Sequence, residues 1–402
     1  MAGELTTDER REFADRCRAV LAVATAPGTP ETMAQAKAFQ TRLVEAGLAG
    51  LPYATEHGGA GLTQEHGRIY REVAQDFPPM ANKLVISHGM CLPVLNEFGT
   101  EAQKRQFMPD NIAARTVWCQ LFSEPGAGSD VASLQTRAVR DGDEWTLNGQ
   151  KVWTTLAHES DFGVIIARTD PDQPKHAGIS MFVVDMHAPG VEVRPINQID
   201  GGRHFNEVFF TDVRIPADWL LGTYNDGWRQ ATAMLMFERL AIGSMGAGAI
   251  SQPRFDRLID VARRSGALAD PVVRDQLMQL YAMETTKALV AMRTRADVAA
   301  GKAPGPGGSL GKLAGSVIAW RFRDLAFALA GPSAQAWSED EPDAGGLAFD
   351  VVTPFSAGIA GGTDEIQRNI IGERVLGLPR DITVDRDVAF KDLKVGTQRA
   401  GS

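Results

Sequence analysis

Cysteine is scarce. Cys17, Cys91 and Cys119 are the three in a chain of 402 residues. They are far apart and odd in number, with neither metal-type spacing nor a disulfide framework, so a reducing compartment fits best. The seven histidines also lack ligand spacing: His57 and His66 are separated by a glycine-rich turn. No metal site is therefore expected. Positive charge is in deficit, with 41 Lys+Arg against 50 Asp+Glu and a net charge of −9. That removes any global reason to expect nucleic-acid binding, although a local basic patch could still serve a phosphorylated ligand. No uninterrupted apolar run is long enough to cross a bilayer, so no membrane span is expected. The opening MAGELTTDERREF carries acids and no apolar core, unlike a signal peptide, which leads to the expectation of a cytoplasmic protein. No internal repeat is visible.

What is present is ordinary globular material, 44% hydrophobic and 23% charged, and enough chain for two or three domains. Up to about residue 116 the pattern is helical. Thr6–Val23 carries a one-sided stripe of Phe13, Cys17, Val20 and Leu21, with Thr7 and Asp8 as cap candidates. Thr32–Ala46, Gln64–Gln75, an apolar Lys83–Phe98 and a helix capped by Thr100 follow. From Val117 to about Tyr224 the period changes to short β-rich runs, with turn signals at Asp141-Gly142 and Asn148-Gly149. That spacing suggests a compact barrel or sandwich. After Gly227 long helices return, over Trp228–Ile250, Phe255–Ser265, Pro271–Gly301, Ser309–Ala330 and Thr363–Val375, as in an antiparallel bundle. Gly301–Gly308 reads as a turn. The tail after Arg380 is polar and reads as peripheral.

Leu121–Asp130, LFSEPGAGSD, cannot be a regular element. Pro125 fixes one φ angle and lacks a backbone donor. Gly126 and Gly128 permit unusual conformations and close backbone approach. Ser123, Ser129 and Asp130 add polar groups. A strand ending in such a turn could seat a flat, polar-edged ligand, or it could be a plain strand-to-strand turn. It is not a dinucleotide fingerprint, because Val131 stands where the third glycine would be.

LFSEPGAGSD closely resembles the signature of the acyl-CoA dehydrogenase flavoproteins. Lys151–Thr155 (KVWTT), Asn206–Pro216 (NEVFFTDVRIP) and Ile359–Leu378 (IAGGTDEIQRNIIGERVLGL) agree with it, in the right order. The resemblance implies an α+β fold: an N-terminal helical domain over 1–116, a middle β-barrel domain over 117–224, and a C-terminal four-helix bundle over 225–380, with a tail at 381–402. It implies FAD as cofactor, an acyl-CoA substrate, an electron-transfer flavoprotein as acceptor, and a role in lipid metabolism such as fatty acid β-oxidation. A homodimer or homotetramer is expected, and a heteromer is an open alternative.

By the same resemblance, Phe122, Ser123, Trp153, Thr155, Gly362, Thr363 and Glu365 are cofactor contacts, while Ser129 and Arg239 lie near the CoA. The bland alternatives are a core role for Trp153 and a plain N-cap for Thr363. Two departures stand out. Many family members carry their catalytic glutamate at the position of Gly361, and glycine cannot accept a proton. Other branches place the base in a Glu-Arg-Leu sequence on the first bundle helix, which here is Glu238-Arg239-Leu240. Glu238 sits in a nearly apolar helix, where poor solvation favours a working base; its alternative is a structural ion pair with a bundle arginine. Asp364 and Glu365 are fallback bases. The second departure is Arg263-Arg264-Ser265-Gly266, which lacks the phenylalanine of the Arg-x-x-Phe-Gly motif; either arginine could reach a neighbouring FAD. The expected activity is dehydrogenation of an acyl-CoA to the trans-2-enoyl-CoA. Rivals are a flavin oxidase or monooxygenase on the same fold, and a non-catalytic partner subunit of a heteromeric enzyme.

Overall fold

The computed structural model describes residues 5–26, 28, 32–78, 82–199, 201–245, 252–299, 307–331, 352, 354–380, 382 and 386–393. They fall into two compact units. One lies within Met1–Gln198, Gly202–Ala241 and Thr383–Ser402, the other within Ile199–Gly201 and Ile242–Ile382.

The first unit begins with helices α1 (Thr7–Ala24), α2 (Met33–Glu45), α3 (Gln64–Ala74), α4 (Leu92–Phe98) and α5 (Glu101–Ile112). Capping boxes start α1, α2 and α5, pairing Thr6 with Glu9, Thr32 with Gln35, and Thr100 with Gln103. The cap of α1 is thus Thr6, one residue before the expected candidates, because Glu9 stands three residues after it. Phe13, Cys17 and Leu21 are the buried stripe of α1. The expected helix over Lys83–Phe98 is not continuous: Ser87–Cys91 forms a π-helical turn that leads into α4. His88 in that turn donates from Nε2 to the Asn111 carbonyl at 2.8 Å, and burial pushes its imidazole down to about 4 despite that bond. In the unfolded chain the ring protonates below about 6.5. Stability should therefore be full above that pH and fall as the pH drops from about 6.5 towards 4. Thermal unfolding of wild type and His88→Gln across this window checks it: the variant should show a shallower loss.

Strands β1 (Trp118–Leu121), β2 (Arg137–Asp141), β3 (Glu144–Thr155), β4 (Phe162–Arg168), β5 (Ile179–Asp185), β6 (Val191–Pro195), β7 (Phe205–Pro216) and β8 (Leu220–Leu221) form one sheet. Its order is β6-β7-β3-β2-β4-β5-β8, with β1 paired to β4 in parallel. The β2–β3 hairpin turns at Gly142, whose φ is +62°. Asn148-Gly149, expected as a turn, instead lies inside β3, where Asn148 and Asp212 exchange hydrogen bonds at a bulge. Strand alternation gives the sheet two apolar faces. Cys119, Leu121, Leu147, Ile165, Phe182, Phe210 and Ile215 meet in one cluster, so the sheet wraps around its own core as a barrel does. Trp118, Val164, Ile166, Met181 and Val183 face the other way and share a core with the N-terminal helices.

The tail is not peripheral in its described part. The Phe390 amide donates to the Gln173 carbonyl at 2.8 Å, and Lys391 pairs with Asp172 at 2.6 Å. The buried Phe390 ring covers the Arg168 guanidinium at 3.7 Å. Arg168 is itself buried, which lowers it to about 10, and it donates to the carbonyls of Ala132 and Lys175. Phe390→Ala should therefore cost about 2–4 kcal/mol through lost burial and an uncovered cation. Chemical denaturation measures this.

The second unit is helical. Its core joins α7 (Gln252–Arg264), α8 (Pro271–Ala299) and α9 (Gly307–Ala330) through Leu258, Val261, Leu277, Leu280, Ile318, Phe322 and Leu329. Helix α10 (Asp364–Arg374) contacts α9. The expected turn over Gly301–Gly308 lies mostly outside the described residues.

Candidate functional site

In the first unit, the signature turn and the KVWTT strand are tied together. The Val152 amide donates to the Ser123 carbonyl at 2.9 Å. Lys151 Nζ donates to the Phe122 carbonyl at 2.9 Å and to Glu124 at 2.8 Å. Both charged side chains are buried. The Glu124 carboxylate also accepts from the amides of Gln135 and Thr136. Burial alone would oppose ionisation of Glu124, yet Lys151 and these amides outweigh it and hold its carboxyl below the usual range. Burial outweighs Glu124 at Lys151, whose ammonium is pulled below its ordinary value. This pair, which sequence reasoning missed, fixes the expected cofactor contacts Phe122 and Ser123 beside Trp153.

Trp153 is not a core residue. It is 58% exposed, with φ at +61°, inside β3. The cause is a bulge: from Lys151 to Thr154 the strand takes three steps, while its partner takes two, from Val208 to Asn206. The extra residue turns outward. A left-handed tryptophan is strained by about 1–3 kcal/mol, and such strain concentrates at functional sites. Thr155 is half-buried at the end of β3, opposite Phe205.

The turn itself closes by paired hydrogen bonds between the backbones of Glu124 and Ala127. Neither Gly126 nor Gly128 has a positive φ, and a Cβ on either would meet nothing within 4 Å. Conformational freedom is thus not their reason here; open space over the backbone is what they leave. Ser129 is exposed. Asp130 accepts from Ser133 and from Lys175 at 2.9 Å.

Glu238 lies on α6 (Gly227–Met245). Ala231 and Met234 on the same face are fully buried, so Glu238 continues a core-facing stripe. Gln120 on β1 donates to its Oε2 at 3.4 Å. The Arg239 side chain lies outside the described residues.

In the second unit, Gly361 and Gly362 both have positive φ, at +67° and +88°. Gln367, buried and also missed by sequence reasoning, donates to the Gly361 carbonyl at 2.9 Å. A Cβ at Gly362 would sit 2.7 Å from that amide. Thr363 caps α10, its hydroxyl accepting from the Ile366 amide. Asp364 is engaged by Lys312 at 3.0 Å and Ser316 at 2.7 Å. Partial burial opposes its ionisation, but Ser316 and Lys312 prevail and hold it below the ordinary carboxylate range. That makes it a poor base. Glu365 is exposed, facing Arg368 at 3.7 Å. Arg263 pairs with Asp260 near the end of α7, before Gly266.

Among the described residues no group of acids, histidines and cysteines could hold a metal ion, and no helix is long and apolar enough to cross a membrane.

The N-terminal, middle and C-terminal domain models of the acyl-CoA dehydrogenases match residues 7–115, 119–213 and 225–376. Acyl-CoA dehydrogenase IpdE1 of Mycobacterium tuberculosis is 39% identical over 359 residues, covering 87% of this chain and 90% of that protein. Similar solved structures include the following two. The Tcur3481-Tcur3483 steroid ACAD has a TM-score of 0.75 at 27% identity, over 93% of this chain and 98% of that one. The ChsE4-ChsE5 complex of M. tuberculosis has a TM-score of 0.74 at 28% identity, over 95% and 100%.

Proposed function

The chain belongs to the acyl-CoA dehydrogenase family, and from that premise we propose that it dehydrogenates an acyl-CoA to the trans-2-enoyl-CoA with Glu238 as base. The observation that carries this reading is the inward-facing carboxylate of Glu238, which accepts from Gln120 on β1; Gly361 carries no acid. The residues fit a flavin. Exposed Trp153 offers a face to a flat ring, and open backbone at Gly126 and Gly128 admits close approach. Ser123 and Thr155 would serve its polar edge, and the Gly362–Thr363 turn presents a helix N-terminus suited to phosphate. When bound, FAD supplies the acceptor for the β-hydride. Glu238 takes the α-proton onto a carboxylate oxygen, and the remaining electron pair becomes the α,β-double bond. Ser129 and Arg239 serve the CoA moiety, and Glu365 is a further FAD contact.

Gly361, with only a hydrogen on its α-carbon in place of a side chain, favours a bulky acyl group. Similarity to the Tcur3481-Tcur3483 steroid ACAD and to the ChsE4-ChsE5 complex supports a polycyclic acyl group and an assembly with a second chain. An electron-transfer flavoprotein is the proposed oxidant, and a cytoplasmic location the proposed setting. Incubation with acyl-CoAs of increasing bulk and an artificial electron acceptor tests the reading: products two hydrogens lighter support it, best for bulky acyl groups. Unchanged acyl-CoAs with peroxide or oxygenated product would favour the oxidase rival. Protein purified without flavin would favour the non-catalytic subunit.

A further inference from the structure

We propose that Gln120 is a positioning residue: its side-chain amide donates to Glu238 and holds that carboxylate at a set distance from the signature turn. The proposal rests on Glu238 being the base. The geometry supporting it is independent of that reading. On β1, Trp118 and Gln120 alternate with Cys119 and Leu121, which lie in the barrel core. Gln120 thus stands on the face where Trp118 and Phe122 are buried against the helices, a half-buried amide between two apolar neighbours. An amide in such a place is costly without a partner, and Glu238 supplies one, 118 positions along the chain.

The opposite side of the contact is also held. Met234, one turn before Glu238, is fully buried. Ala241, nearly one turn after it, packs over Gly89 in the π-helical turn, where a Cβ would come within 2.8 Å. Helix α6 is therefore seated on both sides of Glu238. Gln120 contacts the carboxylate itself and so biases its torsions. Being neutral, its amide orients the charge without cancelling it. Phe122 lies two residues further along, just past the end of β1, so one segment places both the base and the expected flavin contact. That is how a reacting geometry is pre-organised. The 3.4 Å separation is at the long end for a hydrogen bond, so the restraint is modest.

The test is anaerobic rapid mixing of flavin-loaded enzyme with its best acyl-CoA, unlabelled and deuterated at the α-carbon. Gln120→Met keeps the bulk and removes the donor. It should retain flavin and bind acyl-CoA within about twofold, yet reduce its flavin roughly tenfold more slowly, as expected for a mispositioned base. The α-deuterium isotope effect should rise, because proton abstraction becomes more limiting. A merely structural role would not move that isotope effect. Gln120→Asn keeps an amide but shortens its reach, and should behave like Gln120→Met; it also serves if the methionine variant fails to fold. Glu238→Gln is run in parallel. If it abolishes reduction while both Gln120 variants keep the wild-type rate and isotope effect, the positioning proposal is wrong and the base reading stands. If Glu238→Gln reduces its flavin normally, the base reading fails and the proposal with it.

Discussion

Glu238→Gln should bind FAD and acyl-CoA like the parent protein and lose turnover by roughly a thousandfold or more, within the range general-base removal costs. The amide preserves the shape of the side chain and removes the proton acceptor. It keeps an oxygen for Gln120 to donate to, so the packing of α6 through Met234 and Ala241 should survive. The alternatives in the sequence do not take over. Asp364 is held by Lys312 and Ser316, and Glu365 points to solvent beside Arg368. Gly361 carries no acid. Steady-state turnover, flavin content and acyl-CoA affinity of the variant together check this. Loss of flavin along with activity would indicate a structural role instead.

The second large effect concerns stability. Lys151→Met should cost about 3–5 kcal/mol, because it leaves the Glu124 carboxylate buried without its cation. Glu124 would keep only its bonds from Gln135 and Thr136, and the Phe122 carbonyl would lose its donor. The turn carrying Ser123 should loosen, so flavin retention should fall with stability. The double variant Glu124→Gln, Lys151→Met should recover much of the loss, since neither member of the pair keeps a charge. The acid side has a definite sign. The depressed carboxyl of Glu124 contributes stability that is complete above the ordinary carboxylate range and is lost as pH falls through its lower folded value. Denaturant titration of the parent, single and double variants checks these differences.

Much of this was readable from periodicity and punctuation. Thr100 caps α5 as its spacing to Gln103 implies, and Gly142 turns the β2–β3 hairpin. The change from helical to alternating pattern near Val117 falls just before β1 at Trp118. The larger misses share a physical cause: they depend on partners remote in sequence. Lys151 looks like a surface lysine until Glu124 closes over it from 27 residues away. Phe390 looks like part of a loose polar tail until it covers Arg168. Gln120 carries no motif at all. Trp153 illustrates the reverse: an aromatic in a strand is ordinarily core, and only the register shift against β7 turns it outward.

The most direct measurement is the visible spectrum of the purified protein, followed without oxygen while acyl-CoAs of increasing bulk are added. The account predicts an oxidised-flavin band that bleaches on addition of a bulky acyl-CoA, with the best bleacher naming the acyl class. A flavin band that no acyl-CoA bleaches, or a protein with no flavin band, would contradict it.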